Sequence, residues 1–265
     1  MPLDVERIRR ARPTNQIVYH RAIASTMTEA SALATSGAPH GTVVLADEQT
    51  AGVGRLGRSW VSEAEAGVYC SILLRLNLKP ANLPIASLVL GLATAEAIQK
   101  STDVLCDLRW PNDVLVKERK VAGILAHFTA HRAFGARCAR VEEEECIIAG
   151  IGINANQVSF PEGLRTPATS LRIESGGREQ SRETIIVHLL ESVNAFCSML
   201  QSAGSDTILR AFTLASSYAL HRRVVIEDTG EKGTTAGLDP NGFLLVKLDR
   251  GRLERVAAGG VRPDV

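Results

Sequence analysis

The chain has 265 residues, 45% of them hydrophobic, enough to bury a sizeable core as one large domain or a domain with a smaller companion. Thirty Lys and Arg against 29 Asp and Glu leave a formal charge of +1, which excludes the broad basic field of non-specific nucleic-acid binding and makes any anion site a local one. The five cysteines, odd in number and without C-x-x-C spacing, read as buried thiols of a reducing compartment, and neither a signal peptide nor a spanning segment is legible, so the expected setting is the cytoplasm.

In chain order, STMTEA (25 to 30) opens a helix running to about Ser36. Thr26 and Glu29 have the spacing of a capping box, which leaves the Ser25 hydroxyl free. TVVLA (42 to 46) is a β-branched run. DEQTAGVGRLGRSW (47 to 60) then satisfies two phosphate motifs at once. Gly52, Gly54 and Gly57 spell G-x-G-x-x-G, and Gly52 to Ser59 spells a P-loop with Arg58 in place of lysine. Neither motif has its context. No crossover helix opens after Gly57, no acidic residue follows about twenty positions later, and the next strand, GVYCSILLRL (67 to 76), leaves no room for a helix. What remains is a flexible backbone whose amides can form an anion nest, with Arg55 and Arg58 as permanent charges. A surface loop with solvated arginines has the same composition.

Residues 84 to 99 change to helical period, with Pro84 suited to a first turn. LRW (108 to 110), a turn at Pro111, Asn112 and Asp113, VLV (114 to 116), the charged turn KERK and VAGILAHF (121 to 128) read as a hairpin. It carries Asn112 and Asp113 at one end and Lys120 at the other. The segment 131 to 145, with its EEEE run, reads as a solvated loop or hairpin tip. CIIAGIGINAN (146 to 156) is apolar enough for a strand buried on both faces, with Asn154 and Asn156 at its end. A helix capped by Ser181 follows over 182 to 203, then another over 206 to 219. From Arg222, short strands alternate with DTGEKG, DPNG and DRG, the texture of a small β-barrel or sandwich, which puts a domain boundary near 220.

Taken together and in order, STMTEA, DEQTAGVGRLGRSW, RWPNDVLV, KVAGIL, GIGINAN and ATSL resemble the biotin protein ligases, from about Tyr19 to Gly260. The resemblance implies an α/β (α+β) fold: a mixed-sheet catalytic domain over 1–220, related to class II aminoacyl-tRNA synthetases, and a small SH3-like β-barrel over 221–265. It implies biotin as substrate with ATP and Mg²⁺, formation of biotinyl-5'-AMP, and transfer to a lysine of a biotin carboxyl carrier protein of acetyl-CoA carboxylase or a related carboxylase. A homodimer is an assembly it admits.

Residue by residue, Lys120 matches the family's essential lysine and Arg55 the loop arginine that holds the mixed anhydride. Ser25, Thr26, Met27, Gln49, Val53 and Gly54, with Arg55 and Lys120, match biotin-contacting positions. Gly52, Gly54, Arg55, Arg58, Trp60, Asn112, Asp113, Lys120 and Asn154 match nucleotide positions, Trp60 covering adenine and Asn154 reading its edge. Magnesium is expected on phosphates and water, without a protein cage.

Two departures stand out. Val53 replaces the first arginine of the family's usual G-R-G-R-x-G. About 24 residues precede STMTEA, too few for the winged helix-turn-helix of bifunctional members, so nucleic-acid binding is not expected. The alternatives are a lipoate or octanoate ligase, whose R-R-x-S-G-G-G loop is absent, and a non-catalytic adenylate-sensing regulator.

Overall fold

A computed structural model describes residues 1–76, 78, 80–132 and 143–264. The first helix, α1 (Val5–Ala11), is capped by Asp4, whose side chain accepts from Arg7 N. Strand β1 (Ile17–Ile23) follows, then α2 (Thr26–Thr35), β2 (Val43–Gln49) and β3 (Val68–Leu74). Helix α3 (Leu83–Thr102) leads to the short strands β4 (Asp107–Arg109) and β5 (Asp113–Val116), and these to the long pair β6 (Arg119–Arg132) and β7 (Glu143–Ile153). Three helices come next: α4 (Leu171–Glu174), α5 (Arg182–Ala203) and α6 (Ser205–Ala215). Strands β8 (Leu220–Ile226), β9 (Lys232–Leu238), β10 (Leu244–Leu248), β11 (Leu253–Arg255) and β12 (Val261–Pro263) end the chain.

Strands β1 to β7 form one mixed sheet in the order β1-β2-β3-β7-β6-β5-β4. The β1–β2 pair is parallel and the rest are antiparallel. Alternation decides which residues face which layer. Val68, Cys70, Ile72 and Leu74 of β3 and Ile147, Ala149, Ile151 and Ile153 of β7 join the main core with α1, α3 and α5. Their neighbours Leu73, Cys146 and Ile148 pack with Met27, Ala30 and Ala34 of α2 on the opposite face. Helix α5 is long and apolar enough to span a membrane by composition, yet Ile185, Ile186, Leu189, Leu190 and Val193 are buried in this core.

The second sheet, β11-β10-β9-β8-β12, is antiparallel throughout. Val224, Ile226, Leu244, Val246 and Val261 belong to the same apolar core as the first sheet. Trp110 Nε1 donates to Gly242 O at 2.9 Å, and Gly242, at φ +85, lies against Ile85 and Leu88. A side chain would be strained at that φ and crowded against α3.

Three expectations need correction. Helix α2 has no capping box: Ser25 is its N-cap without a side-chain bond, and Thr26 N donates to Gln49 Oε1 at 2.9 Å. The acidic run is strand where it is described, with Glu145 paired to Ala130 and Glu143 to Arg132, because backbone pairing to β6 continues past the apolar stretch. The rest of that expected loop lies outside the described residues, as does Cys138. Helix α6 stops at Ala215, where Ser216 Oγ turns to bond Leu108 O and buries Tyr218. Strand β1, α1 and β12 were not expected at all.

One buried ion pair ties the N-terminal segment to the sheet. Asp47 Oδ1 accepts from Arg182 Nη1 at 2.8 Å and from Leu3 N at 3.2 Å, while Oδ2 accepts from the Tyr19 hydroxyl. The Arg182 and Asp47 side chains are 4% and 2% exposed, so removing one charge strands the other without water. Asp47→Ala is expected to cost about 3–5 kcal/mol, measured as a lowered midpoint in urea unfolding; a change below about 1 kcal/mol would show that the pair holds nothing together.

Candidate active site

The glycine loop leaves β2 and returns as a narrow excursion. Isolated bridges join Gln49 to Ser62 and Val53 to Ser59, Gly54 N donates to Arg58 O at 2.6 Å and Trp60 N to Gly52 O at 2.9 Å. Gly52 is required by this closure, since a Cβ there would stand 2.4 Å from Trp60 O. At the tip, Leu56 and Gly57 have φ of 55 and 71. The turn throws Arg55 inward, where Nη1 donates to Asn112 Oδ1 at 3.0 Å and to Gly259 O at 2.8 Å. Burial pulls the Arg55 guanidinium below its ordinary pKa, against the pull of the Asp113 charge. A buried cation of this kind is stabilised by an incoming anion.

The hairpin supplies the second cation. Lys120 Nζ lies 2.5 Å from Asp113 Oδ1 and 5.4 Å from the Trp60 ring centroid. The Lys120 backbone is fixed on both sides, its N–H on Pro167 O at 2.7 Å and its carbonyl on Thr169 N at 2.9 Å. ATSL is therefore the strip that clamps the lysine, and Ser170 then caps α4 by accepting from Ile173 N. Burial by itself would raise the Asp113 pKa, but the charges of Lys120 and Arg109 outweigh it and hold the carboxyl below its usual range. Asn112 also donates from Nδ2 to Ile124 O at 2.8 Å, locking the turn to β6.

Two cavities meet at these side chains. The larger, about 250 Å³, is lined by Arg58, Asp113, Asn154, Phe160, Glu227 and Gly259 among others. The smaller, about 50 Å³, is lined by Thr26, Met27, Gln49, Val53, Gly123 and Gly150 among others. Gly54, Arg55, Trp60, Asn112 and Lys120 line both. The floor of the smaller one is glycine for a steric reason. A Cβ at Gly150 would stand 2.4 Å from Met27 Sδ, one at Gly152 2.4 Å from the Trp60 ring, and one at Gly123 2.9 Å from Trp60 and from Lys120 Cε.

The expected site residues are thus brought together, with three qualifications of place. Ser25 lines neither cavity; its Oγ is buried and unpartnered among the described residues. Gly52 shapes the loop without lining either. Asn154 lines the larger cavity, and its Nδ2 is engaged with Thr169 O at 3.1 Å. Gln49 accepts from both Thr26 N and Thr26 Oγ1 and donates to Ser62 Oγ at 2.8 Å, so it joins α2 to the glycine loop. Sequence reasoning missed Arg109, Thr166, Glu227 and Gly259. Only Arg109 carried a local signal, a cation beside the W-P-N-D turn. Among the described residues no group of three or more His, Cys, Asp or Glu is placed to hold a metal.

Residues 19–139 match the model of the Biotin/lipoate A/B protein ligase family. The chain is 33% identical over 245 residues to the bifunctional ligase/repressor BirA of Bacillus subtilis, covering 89% of this chain and 70% of that protein. It is 31% identical over 249 residues to the biotin--[acetyl-CoA-carboxylase] ligase of Mycobacterium tuberculosis, covering 89% and 85%. The solved biotin protein ligase of Aquifex aeolicus, in complex with biotin and ATP, superposes with a TM-score of 0.74 at 27% identity, covering 93% of this chain and 97% of that one. By sequence and fold, the chain belongs to the biotin/lipoate A/B protein ligase family.

Proposed function

We propose that the chain is an ATP-dependent biotin protein ligase that makes biotinyl-5'-AMP and passes the biotinyl group to a lysine of a biotin carboxyl carrier protein. One observation carries this reading: two unequal cavities join at a pair of cations, Arg55 and Lys120. A carboxylic acid in the smaller cavity and MgATP in the larger would place the carboxylate and the α-phosphate at that junction.

Bringing two anions together is the electrostatic cost of the first step, and fixed cations at the meeting point reduce it without reorganisation. The biotin carboxylate oxygen attacks the α-phosphorus, the bond to the β-phosphate breaks, and pyrophosphate leaves. In this reading Lys120 bridges carboxylate and phosphate, Arg55 holds the same mixed anhydride, and Arg58 faces nucleotide phosphate. Trp60 supplies a flat ring beside the base, Asn112 and Asp113 order ribose or phosphate, and Asn154 meets the adenine edge. Thr26, Met27, Gln49, Val53 and Gly54 surround the biotin rings, with the Ser25 hydroxyl as a further polar partner. In the second step the acceptor's neutral ε-amine attacks the acyl carbon, the C–O bond to phosphate breaks, and AMP departs as the new amide loses a proton. Residues 1–220 form the catalytic domain of class II synthetase type, and 221–265 an SH3-like barrel that walls the nucleotide side, in a soluble cytoplasmic enzyme.

Lys120→Ala is expected to lower biotin-dependent ATP–pyrophosphate exchange by about 10²- to 10³-fold or more with an unchanged unfolding midpoint; normal exchange would remove the lysine from the mechanism. Supplying biotin, lipoate and octanoate separately to the wild type should give exchange with biotin alone, and exchange with lipoate only would assign the smaller cavity to a different acid.

A further inference from the structure

The carboxylate that receives Lys120 is shared with another cation. Asp113 Oδ2 accepts from Arg109 Nη2 at 2.6 Å, and the same Nη2 donates to Thr166 Oγ1 at 2.7 Å. Arg109 is 5% exposed, and its guanidinium stands 5.9 Å from the Tyr218 ring centroid. Behind that ring, the Tyr218 hydroxyl bonds Glu118 and Arg222 lies 5.1 Å from the centroid. The arginine is therefore held by the segment joining α6 to β8 as well as by Asp113 of β5 and by Thr166. Three cations from three elements face Asp113: Lys120 from β6, Arg109 from β4 and, at longer range, Arg55 from the glycine loop.

An ammonium locked onto a lone carboxylate is a poor partner for a phosphate, because withdrawing it leaves a buried anion uncompensated. A second cation on the far oxygen removes that penalty. We propose that Arg109 is a positioning residue for adenylate formation: it anchors and neutralises Asp113 Oδ2 so that the Lys120 ammonium is free to turn to the reacting anions, and through Thr166 it couples the segment 157–168 to that turn. Arginine suits the task, since its charge is permanent and its planar head is fixed by several donors at once. This rests on the ligase reading of Lys120 above; Arg109 borders the larger cavity, but its side-chain bonds go to Asp113 and Thr166, so the role assigned to it is exerted through Lys120.

The test is steady-state pyrophosphate exchange by the full chain across pH, with biotin and ATP varied separately. Wild-type exchange with biotin tests the ligase reading itself. Arg109→Gln should then lower kcat by about 10²-fold with KM for biotin unmoved. The acid limb of its kcat profile should shift to higher pH, because Asp113 has lost one of the two cations that oppose its protonation. Arg109→Lys should return the limb to its wild-type position. In an Asp113→Asn background, Arg109→Gln should cost no more than Asp113→Asn alone. With an active wild type, an unmoved kcat and acid limb in Arg109→Gln would overturn the inference, as would a penalty that persists undiminished without the Asp113 charge. Should Arg109→Gln fail to fold, Thr166→Val carries the test. It should raise KM for ATP while KM for biotin stays constant, and equal values for ATP would count against the coupling.

Discussion

The site depends on two neighbouring acceptors, Asn112 at the end of the β4–β5 turn and Asp113 at the start of β5, that gather cations from distant parts of the chain. Asn112 receives Arg55 from the glycine loop, and Asp113 receives Lys120 from β6 and Arg109 from β4. Without these two acceptors, three positive groups in one partly buried cleft would repel one another and lack solvation. The turn is itself fixed by Asn112 Nδ2 on Ile124 O. A short polar hairpin end thus sets the geometry of a loop more than fifty positions upstream, and under the proposed function that geometry is what two reacting anions would meet.

The glycines make the complementary contribution. Gly150, Gly152 and Gly123 lie on neighbouring strands, Gly123 opposite Gly152, on the face where Met27 and Trp60 rest. Their absent side chains let two large residues approach the sheet closely, and that approach defines the smaller cavity. The cavity face of the sheet is therefore concave by omission, while its other face, with Ile147, Ile151 and Ile153, is filled.

Legibility from sequence followed the range of the interactions. Helices α3 and α5 and strand β3 declared themselves because a period of 3.6 or a short run of apolar residues is local information. The hairpin carrying Asp113 and Lys120 was legible for the same reason. Strand β1 was not, since IVYHRAI is buried at Ile17 and then increasingly open, and only its pairing with β2 makes it a strand. The α2 cap was misread because its acceptor, Gln49, is 23 positions away. In the site, motif residues were recognisable as a set, whereas Thr166, Glu227 and Gly259 had no signal near them. Gly259 reaches Arg55 across 204 positions, and the strand glycines could be seen but not explained until Met27 and Trp60 were found lying on them.

That bond from Arg55 ends on a main-chain oxygen. Gly259 stands at φ +69, where a Cβ would come 2.1 Å from Asp228 Oδ1, so what preserves the acceptor is this glycine together with the course of the polypeptide between β11 and β12. The terminal sheet accordingly belongs to the wall of the larger cavity as masonry, and a chimera that exchanged it for a relative's version would inherit a different seat for the loop arginine even if every motif residue were retained.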